Sequence, residues 1–289
     1  AKQEQMKEQF GYRVWKTLLQ KLSSPRKAAQ LDKLSEIDWD ILVVLDACRA
    51  DVLEQVVDWP TTTAVSPAGC TAEWLGKVAA SGVFEDAHVV SGNPQYERVD
   101  INLGCETVEP YWEEEWDKSL QTVPPEPVLD RATEVFDTGD SPVVAHLEQP
   151  HWPYIAKLGG SWELAYPETG PWTPDGTSEE VVSFQVAMQR GYIDRERAYS
   201  AYRASVASVW STLVNYIQRW YTANGTVVVT ADHGETFGRL RDLKLYEHPC
   251  SCHVSPLATV PFVEFRPRMT SAGQTEIVQE RLQALGYAN

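Results

Sequence analysis

The sequence predicts an α/β fold, a three-layer sandwich with a mostly parallel central sheet between helices. Three observations predict it. Ile41-Leu42-Val43-Val44-Leu45, Pro142-Val143-Val144-Ala145-His146-Leu147 and Thr226-Val227-Val228-Val229-Thr230 are continuous apolar runs, the mark of strands buried on both faces. The chain between them carries helical periodicity, and strand–helix alternation reads as parallel crossover units. Polar residues stand where the runs stop, as at Asp46, at His146 or His151, and at Asp232-His233, and ligands of such sheets bind beyond the carboxyl ends of the strands.

Taken in order, residues 1–36 form an N-terminal helical arm, and residues 37–289 one α/β domain. In the arm, Phe10, Val14, Trp15, Leu18, Leu19 and Leu22 recur at helical spacing, and Ser23-Ser24-Pro25 breaks it into two helices. The expected role is packing on the main domain. Local basic residues leave a membrane-surface or partner helix as the alternative. Cys70–Ala80 is a helix. Glu196–Tyr221 is the clearest one, with Tyr199, Tyr202, Val206, Val209, Leu213 and Ile217 on a broad face, and Asn224-Gly225 closes it. Val260–Phe265 is a further strand, nearer an edge because of Pro261. Residues 104–128 and 157–180, rich in tryptophan, acids and proline, read as excursions over one sheet edge, a lid or substrate wall. A short helix over Thr275–Leu285 follows.

Composition narrows the function classes. The chain has 289 residues with 43% apolar and 23% charged, which is globular, and no apolar run approaches the roughly 20 residues of a membrane span. The opening AKQEQMKEQF is polar, unlike a secretory signal. A net charge of −16 makes nucleic acid and anionic lipid surfaces unfavourable default partners for the chain as a whole. It fits a salt-adapted source or an ordinary acidic protein. Five scattered cysteines, an odd count, predict reduced thiols in a cytoplasmic chain.

A carboxylate after one strand and an Asp-His pair after another make an oxygen and nitrogen cage for a divalent cation. Each piece alone is a common turn or cap; their joint occurrence at equivalent strand ends is the signal. The segment TVVVTADHGETFG (226–238) resembles the metal-binding strand of the alkaline phosphatase superfamily, in its sulfatase-like branch. Tyr202, Ser205 and Val206 resemble the helix before that strand. Asp46-Ala47-Cys48-Arg49-Ala50-Asp51 resembles the first block, His151-Trp152-Pro153-Tyr154 the substrate-histidine block, and Val260-Pro261-Phe262 the closing strand. The matches run in family order over about residues 38–265.

The resemblance implies an alkaline-phosphatase-like sandwich in which Asp46, Asp232, His233 and the nucleophile hold one divalent cation; the sequence does not separate Mn, Zn, Ca and Mg. Residues 66–74 occupy the nucleophile's place, at a helix start whose unpaired amides suit an anionic group. Cys70-Thr71 matches the start of the sulfatase signature Cys-x-Pro-Ser-Arg, but Ala72 and Trp74 stand where it has proline and arginine. Thr71 is favoured over Cys70. His151, assisted by His248, would bind the transferred group or protonate the leaving oxygen. Arg49 would pair with the anionic group or with Asp51. A second metal site lacks its aspartate, because Leu147 stands there, with His146 or Glu148 as substitutes. The run His248-Pro249-Cys250-Ser251-Cys252-His253 is read as a loop rather than a zinc site.

The leading expectation is therefore a metal-dependent hydrolase of sulfate or phosphate esters, acting on a small anionic ester or glycan. Transfer of a phospho-group to a sugar or lipid head group is the second reading. A degenerate relative that binds an anionic glycan without turnover is the third. The oligomeric state is not legible.

Overall fold

The structure, a computed structural model, describes residues 2–23, 29–57, 60–167 and 182–267. The helices are α1 (Lys2–Leu22), α2 (Ala29–Ser35), α3 (Ala50–Val56), α4 (Thr71–Ser81), α5 (Gln95–Arg98), α6 (Tyr111–Glu114), α7 (Pro125–Thr138), α8 (Phe184–Gln189), α9 (Arg195–Thr222) and α10 (Ser255–Ala258). The strands are β1 (Ile41–Asp46), β2 (Thr62–Val65), β3 (His88–Ser91), β4 (Thr107–Pro110), β5 (Val143–Pro150), β6 (Ile155–Leu158), β7 (Ser161–Leu164), β8 (Val227–Ala231) and β9 (Thr259–Phe265).

Seven strands form the central sheet in the order β2-β9-β8-β1-β5-β3-β4, and β6 and β7 form a separate hairpin. The pairs β8–β1, β1–β5, β5–β3 and β3–β4 are parallel; β9 runs antiparallel to both β8 and β2. This is the expected mostly parallel sheet with flanking helices. Every residue of β1 and β8 is buried, which is why these strands are apolar without alternation. Helix α9 starts on Asp194, whose carboxylate accepts from the amides of Glu196 and Arg197, a side-chain N-cap. It buries the predicted face, including Tyr202, Val206, Val209, Leu213 and Ile217.

Register decides where the chemistry sits. Ile41 pairs with both Val143 and Val227, and Leu45 with both Leu147 and Ala231. Three strands thus end level, and the residues just past their ends converge. On β5 the pairing jumps from Leu45–Leu147 to Asp46–Pro150. Such a bulge re-aims side chains, and here it turns Glu148 towards the strand ends.

Several expectations change. Leu19 is the one member of the predicted α1 face that is buried, whereas Phe10, Val14, Trp15, Leu18 and Leu22 are exposed. The helix docks instead through Tyr12, Lys16 and Leu19, with Leu19 joining Leu245, Cys252, Val254 and Leu257 in a small apolar cluster. Residues 104–128 are not only a lid: β4 is the sheet's edge strand. The remainder of the 157–180 excursion beyond residue 167, and the Thr275–Leu285 helix, lie outside the described residues.

The cysteine reading is also corrected. Cys70 and Cys250 form a disulfide, their Cα atoms 4.9 Å apart although 180 residues separate them. Only the fold brings them together, so spacing gave no hint. Disulfides persist in oxidising compartments, so the ground for expecting a cytoplasmic chain falls away. Among the described residues, no helix is long and apolar enough to cross a membrane. The 248–253 run is divided among separate tasks: Cys250 is bonded to Cys70, Cys252 is buried in the α1 cluster, and His253 meets the Pro67 carbonyl.

Candidate active site

The site is built where β1, β5 and β8 stop and α4 begins. Asp46 closes β1, Asp232 and His233 follow β8, and Thr71 is the first residue of α4. The Thr71 hydroxyl donates to Asp232 Oδ2 at 2.7 Å and lies 3.3 Å from His233 Nε2. That nitrogen is 3.5 Å from Asp46 Oδ1 and 3.5 Å from Asp232 Oδ2. All four side chains are buried. The arrangement therefore brings together the four predicted cation ligands.

Local bonding fixes each donor. Asp232 Oδ1 accepts from the amides of Ala47 and His233, which aims Oδ2 at Thr71. The His233 ring sets Nδ1 against the Gly234 carbonyl at 2.7 Å, leaving Nε2 to face the acids. Asp46 Oδ2 accepts from Asn93 Nδ2 at 2.6 Å, while its Oδ1 is buried with no hydrogen-bond partner. A buried carboxylate oxygen without a donor is costly, and one aimed at two acids and an imidazole has the character of a cation ligand. Burial, and then the charge of Asp232, push the Asp46 carboxyl well above its usual range. Gly234 is required by close approach: a Cβ there would collide with the Pro256 carbonyl oxygen.

A second group adjoins the first. His151, Glu235 and His248 place ligand atoms within 4.8 Å of one another, as do Asp46, Glu148 and His151. His151 Nδ1 lies 2.7 Å from the Trp152 carbonyl, and its Nε2 lies 3.2 Å from His248 Nε2. The His248 ring also stacks on His233, with centroids 4.8 Å apart. Burial, then the charge of His233, push His151 down to about 4; the same two causes lower His248. Burial therefore favours the neutral form of both rings. His146, weighed as a substitute ligand, is instead inside β5 with Nδ1 2.9 Å from the Tyr96 hydroxyl. Glu148 is the substitute that reaches the cluster.

Of the two partners expected for Arg49 the structure shows Asp51, and Cys70 loses the role expected for it. Arg49 has four of its donor contacts taken by Asp51 (2.8 and 2.9 Å), Asp242 (2.7 Å) and the Glu235 carbonyl (3.1 Å), and its side chain is 3% exposed. It is a buried tie between the loops after β1 and β8, not an anion receptor. Cys70 is the N-cap of α4 and its sulfur is in the disulfide, so it offers no thiolate.

The sequence reading missed Asn93, Glu235 and Gln30. Asn93 stands just past β3, so the rule that found Asp46 applied to it. Glu235 lay inside the quoted motif. Gln30 gave no signal: it is buried in α2, donates to Thr230 Oγ1 and the Ala231 carbonyl, and accepts from Trp74 Nε1. It thereby ties the end of β8 to α4, the two elements that carry Asp232 and Thr71.

Burial raises Glu148 to about 8, helped by the Asp232 charge, and raises Glu235 to about 8. Their ordinary values lie near 4.3. Raised carboxyls give stability that is full below the unfolded value and is lost as pH rises through the folded one. His146, His151 and His248, lowered by burial, pull the other way and return stability as pH rises to about 6.5, so the carboxyl loss stands alone above that: the chelated protein is expected to melt at a lower temperature at pH 8 than at pH 6.5. A divalent cation, which favours carboxylates, should raise Tm more at pH 8. Scanning calorimetry with and without chelator at both pH values checks this; an equal cation effect at both would refute it.

No family model matches the sequence, and no curated protein matches it. Solved structures do. The integral membrane lipooligosaccharide phosphoethanolamine transferase EptA of Neisseria meningitidis superposes with a TM-score of 0.52 at 13% identity, over 79% of this chain and 47% of that one. This chain thus spans about half the length of that protein. The lipoteichoic acid synthase LtaP of Listeria monocytogenes gives 0.43 at 13% identity, over 86% and 73% of the two chains. The 2-O GAG sulfatase BT1596 gives 0.44 at 14% identity, over 78% and 64%. With the sheet order and the level strand ends, the superposition on the transferase shows that the chain has an alkaline-phosphatase-like α/β fold.

Proposed function

We propose that this chain is a divalent-cation-dependent hydrolase of anionic phosphate or sulfate esters, with Thr71 as nucleophile. One observation carries the reading: the Thr71 hydroxyl, Asp232 Oδ2, His233 Nε2 and the unpartnered Asp46 Oδ1 converge in one buried cluster. Three hard oxygens and one imidazole suit a divalent cation, so Asp46, Thr71, Asp232 and His233 are its proposed ligands. Bound there, it would supply Lewis-acid stabilisation of a deprotonated Thr71 and of charge on the transferred group.

The chain's own residues do the rest. Asp232 Oδ2 accepts the Thr71 proton in the resting arrangement and is the group placed to receive it. Thr71 Oγ1 then forms a bond to phosphorus or sulfur while the ester oxygen leaves with its electron pair. At the start of α4, Glu73 already accepts from the Gly69 amide, and the Glu73 amide donates to Cys70 Sγ. The amides of Thr71 and Ala72 remain for the anion, helped by the helix dipole. His151 and His248 adjoin that cluster, with His248 stacked on His233 and His151 within ligand distance of Asp46. An arriving anion favours their protonated forms, so charge and proton enter together and His151 Nε2 can pass a proton to the leaving oxygen. Water would then form a bond to the phosphorus or sulfur and give a proton back to His151 Nε2, while the Thr71 oxygen leaves with its electron pair and takes back the proton held by Asp232.

An aryl sulfate, a phosphomonoester and a phosphodiester should be assayed across several divalent ions, with an alcohol acceptor added in parallel. The expected result is chelator-sensitive release from at least one ester, with water as the acceptor. Acceptor-dependent product would make the chain a transferase. Stoichiometric cation binding with no turnover on any ester would leave a binding protein.

A further inference from the structure

The side of α1 facing the protein is accounted for: Lys16 Nζ pairs with Glu247 at 2.7 Å, Trp15 Nε1 donates to the Leu243 carbonyl, Gln20 donates to the Cys250 carbonyl, and Leu19 is buried. The opposite side is not. Phe10, Val14, Leu18 and Leu22, spaced every four residues, are 70%, 44%, 43% and 74% exposed. At helical spacing they form one continuous stripe, and Trp15 flanks it at 41%. Scattered apolar residues on a surface need no explanation, but an aligned stripe does.

Charge says what covers it. The first 28 residues hold seven bases and two acids, a balance of +5, while the whole chain carries −16. The remaining 261 residues therefore carry −21. Arg13 and Lys21 are exposed beside the stripe. A second copy docked stripe to stripe would bring the exposed Arg13 and Lys21 of the two helices against each other. An anionic bilayer surface is complementary to both features, because an interfacial helix buries its apolar face among acyl chains while its bases meet phosphate head groups. The acidic body is repelled by the same surface. At about 0.1 M salt that repulsion is screened beyond roughly 10 Å, whereas a helix in contact is not.

We infer that α1 is an interfacial helix that docks the protein on an anionic lipid surface, with Phe10, Val14, Leu18 and Leu22 inserted and the body held away. This assignment stands whether or not the site turns over an ester. It adds an orientation: the protein-facing side of α1 rests on the 243–254 loop that carries His248, so the helix and that loop stand between the docked stripe and His248.

Flotation with vesicles tests it, using phosphatidylcholine alone and phosphatidylcholine mixed with phosphatidylglycerol, at about 0.1 M salt. The full chain should float with the mixed vesicles and not with the neutral ones. The double variant Phe10→Glu, Leu18→Glu should lose binding by about tenfold or more, and Arg13→Glu, Lys21→Glu should weaken it in a salt-dependent way. Both pairs are exposed, so an unchanged melting temperature will show that the variants fold. The inference is overturned if the full chain does not float with the mixed vesicles or if Phe10→Glu, Leu18→Glu floats equally well. It is also overturned if the chain is a dimer that this variant makes monomeric, which would assign the stripe to a second copy.

Discussion

Thr71→Ala is expected to lower turnover by on the order of 10⁴-fold, whereas Thr71→Ser should stay within about tenfold of the parent, because the hydroxyl and its place are kept. The contrast with Cys70 is what makes the pair informative. Thr71 Oγ1 sits among Asp232, His233 and Asp46, while the neighbouring sulfur is bonded to Cys250. The double variant Cys70→Ser, Cys250→Ser should therefore melt at a lower temperature, since it frees a loop of 180 residues. Its rate should fall far less than that of Thr71→Ala. Some loss is expected, because Cys250 lies two residues from His248 and holds that loop against α4. Single-turnover assays of the three proteins decide the matter. If the cysteine variant were as dead as Thr71→Ala while still folded and cation-loaded, Thr71 would not be the only nucleophilic candidate.

The contrast also marks what a linear chain can disclose. The sheet was legible because β1, β5 and β8 are buried on both faces and write that environment as unbroken apolar runs. The first-hand chemical residues Asp46, Asp232 and His233 were legible because each stands where such a run stops. Asn93 obeys the same rule, but the short β3 run gave a weaker marker. What was not legible depends on contacts between distant segments. Arg49 is satisfied by Asp242, Cys70 by Cys250, and Gln30 holds Thr230 and Trp74; each pairing exists only after the fold closes. The α1 face was misjudged for a related reason. Periodicity shows that a helix has an apolar side and cannot show which side the protein takes.

Asp46→Asn should change stability in opposite directions with and without a cation. In chelator the parent keeps Asp46 Oδ1 buried without a donor, near Asp232 and Glu148, and burial together with those acids pushes the Asp46 carboxyl up. An amide of the same shape removes that burden: its oxygen can accept from Asn93 Nδ2, and its NH₂ can donate to Asp232 Oδ2 or His233 Nε2. Replacing a poorly paired buried charge in this way is worth about 1–3 kcal/mol. The chelated variant should therefore melt roughly 2–6 °C higher than the chelated parent. With a saturating divalent ion the order should reverse. The parent gains about 2.7 kcal/mol at 100 times Kd, and the variant, short of one anionic ligand, gains little. Elemental analysis should find less than one equivalent of metal in Asp46→Asn, and turnover should fall by about 10²-fold or more. A variant that is less stable than the parent in chelator would show that Asp46 is held by the protein for its own sake. A variant that keeps its metal and its turnover would remove Asp46 from the cation site, and with it the strongest physical reason for reading these strand ends as a catalytic centre.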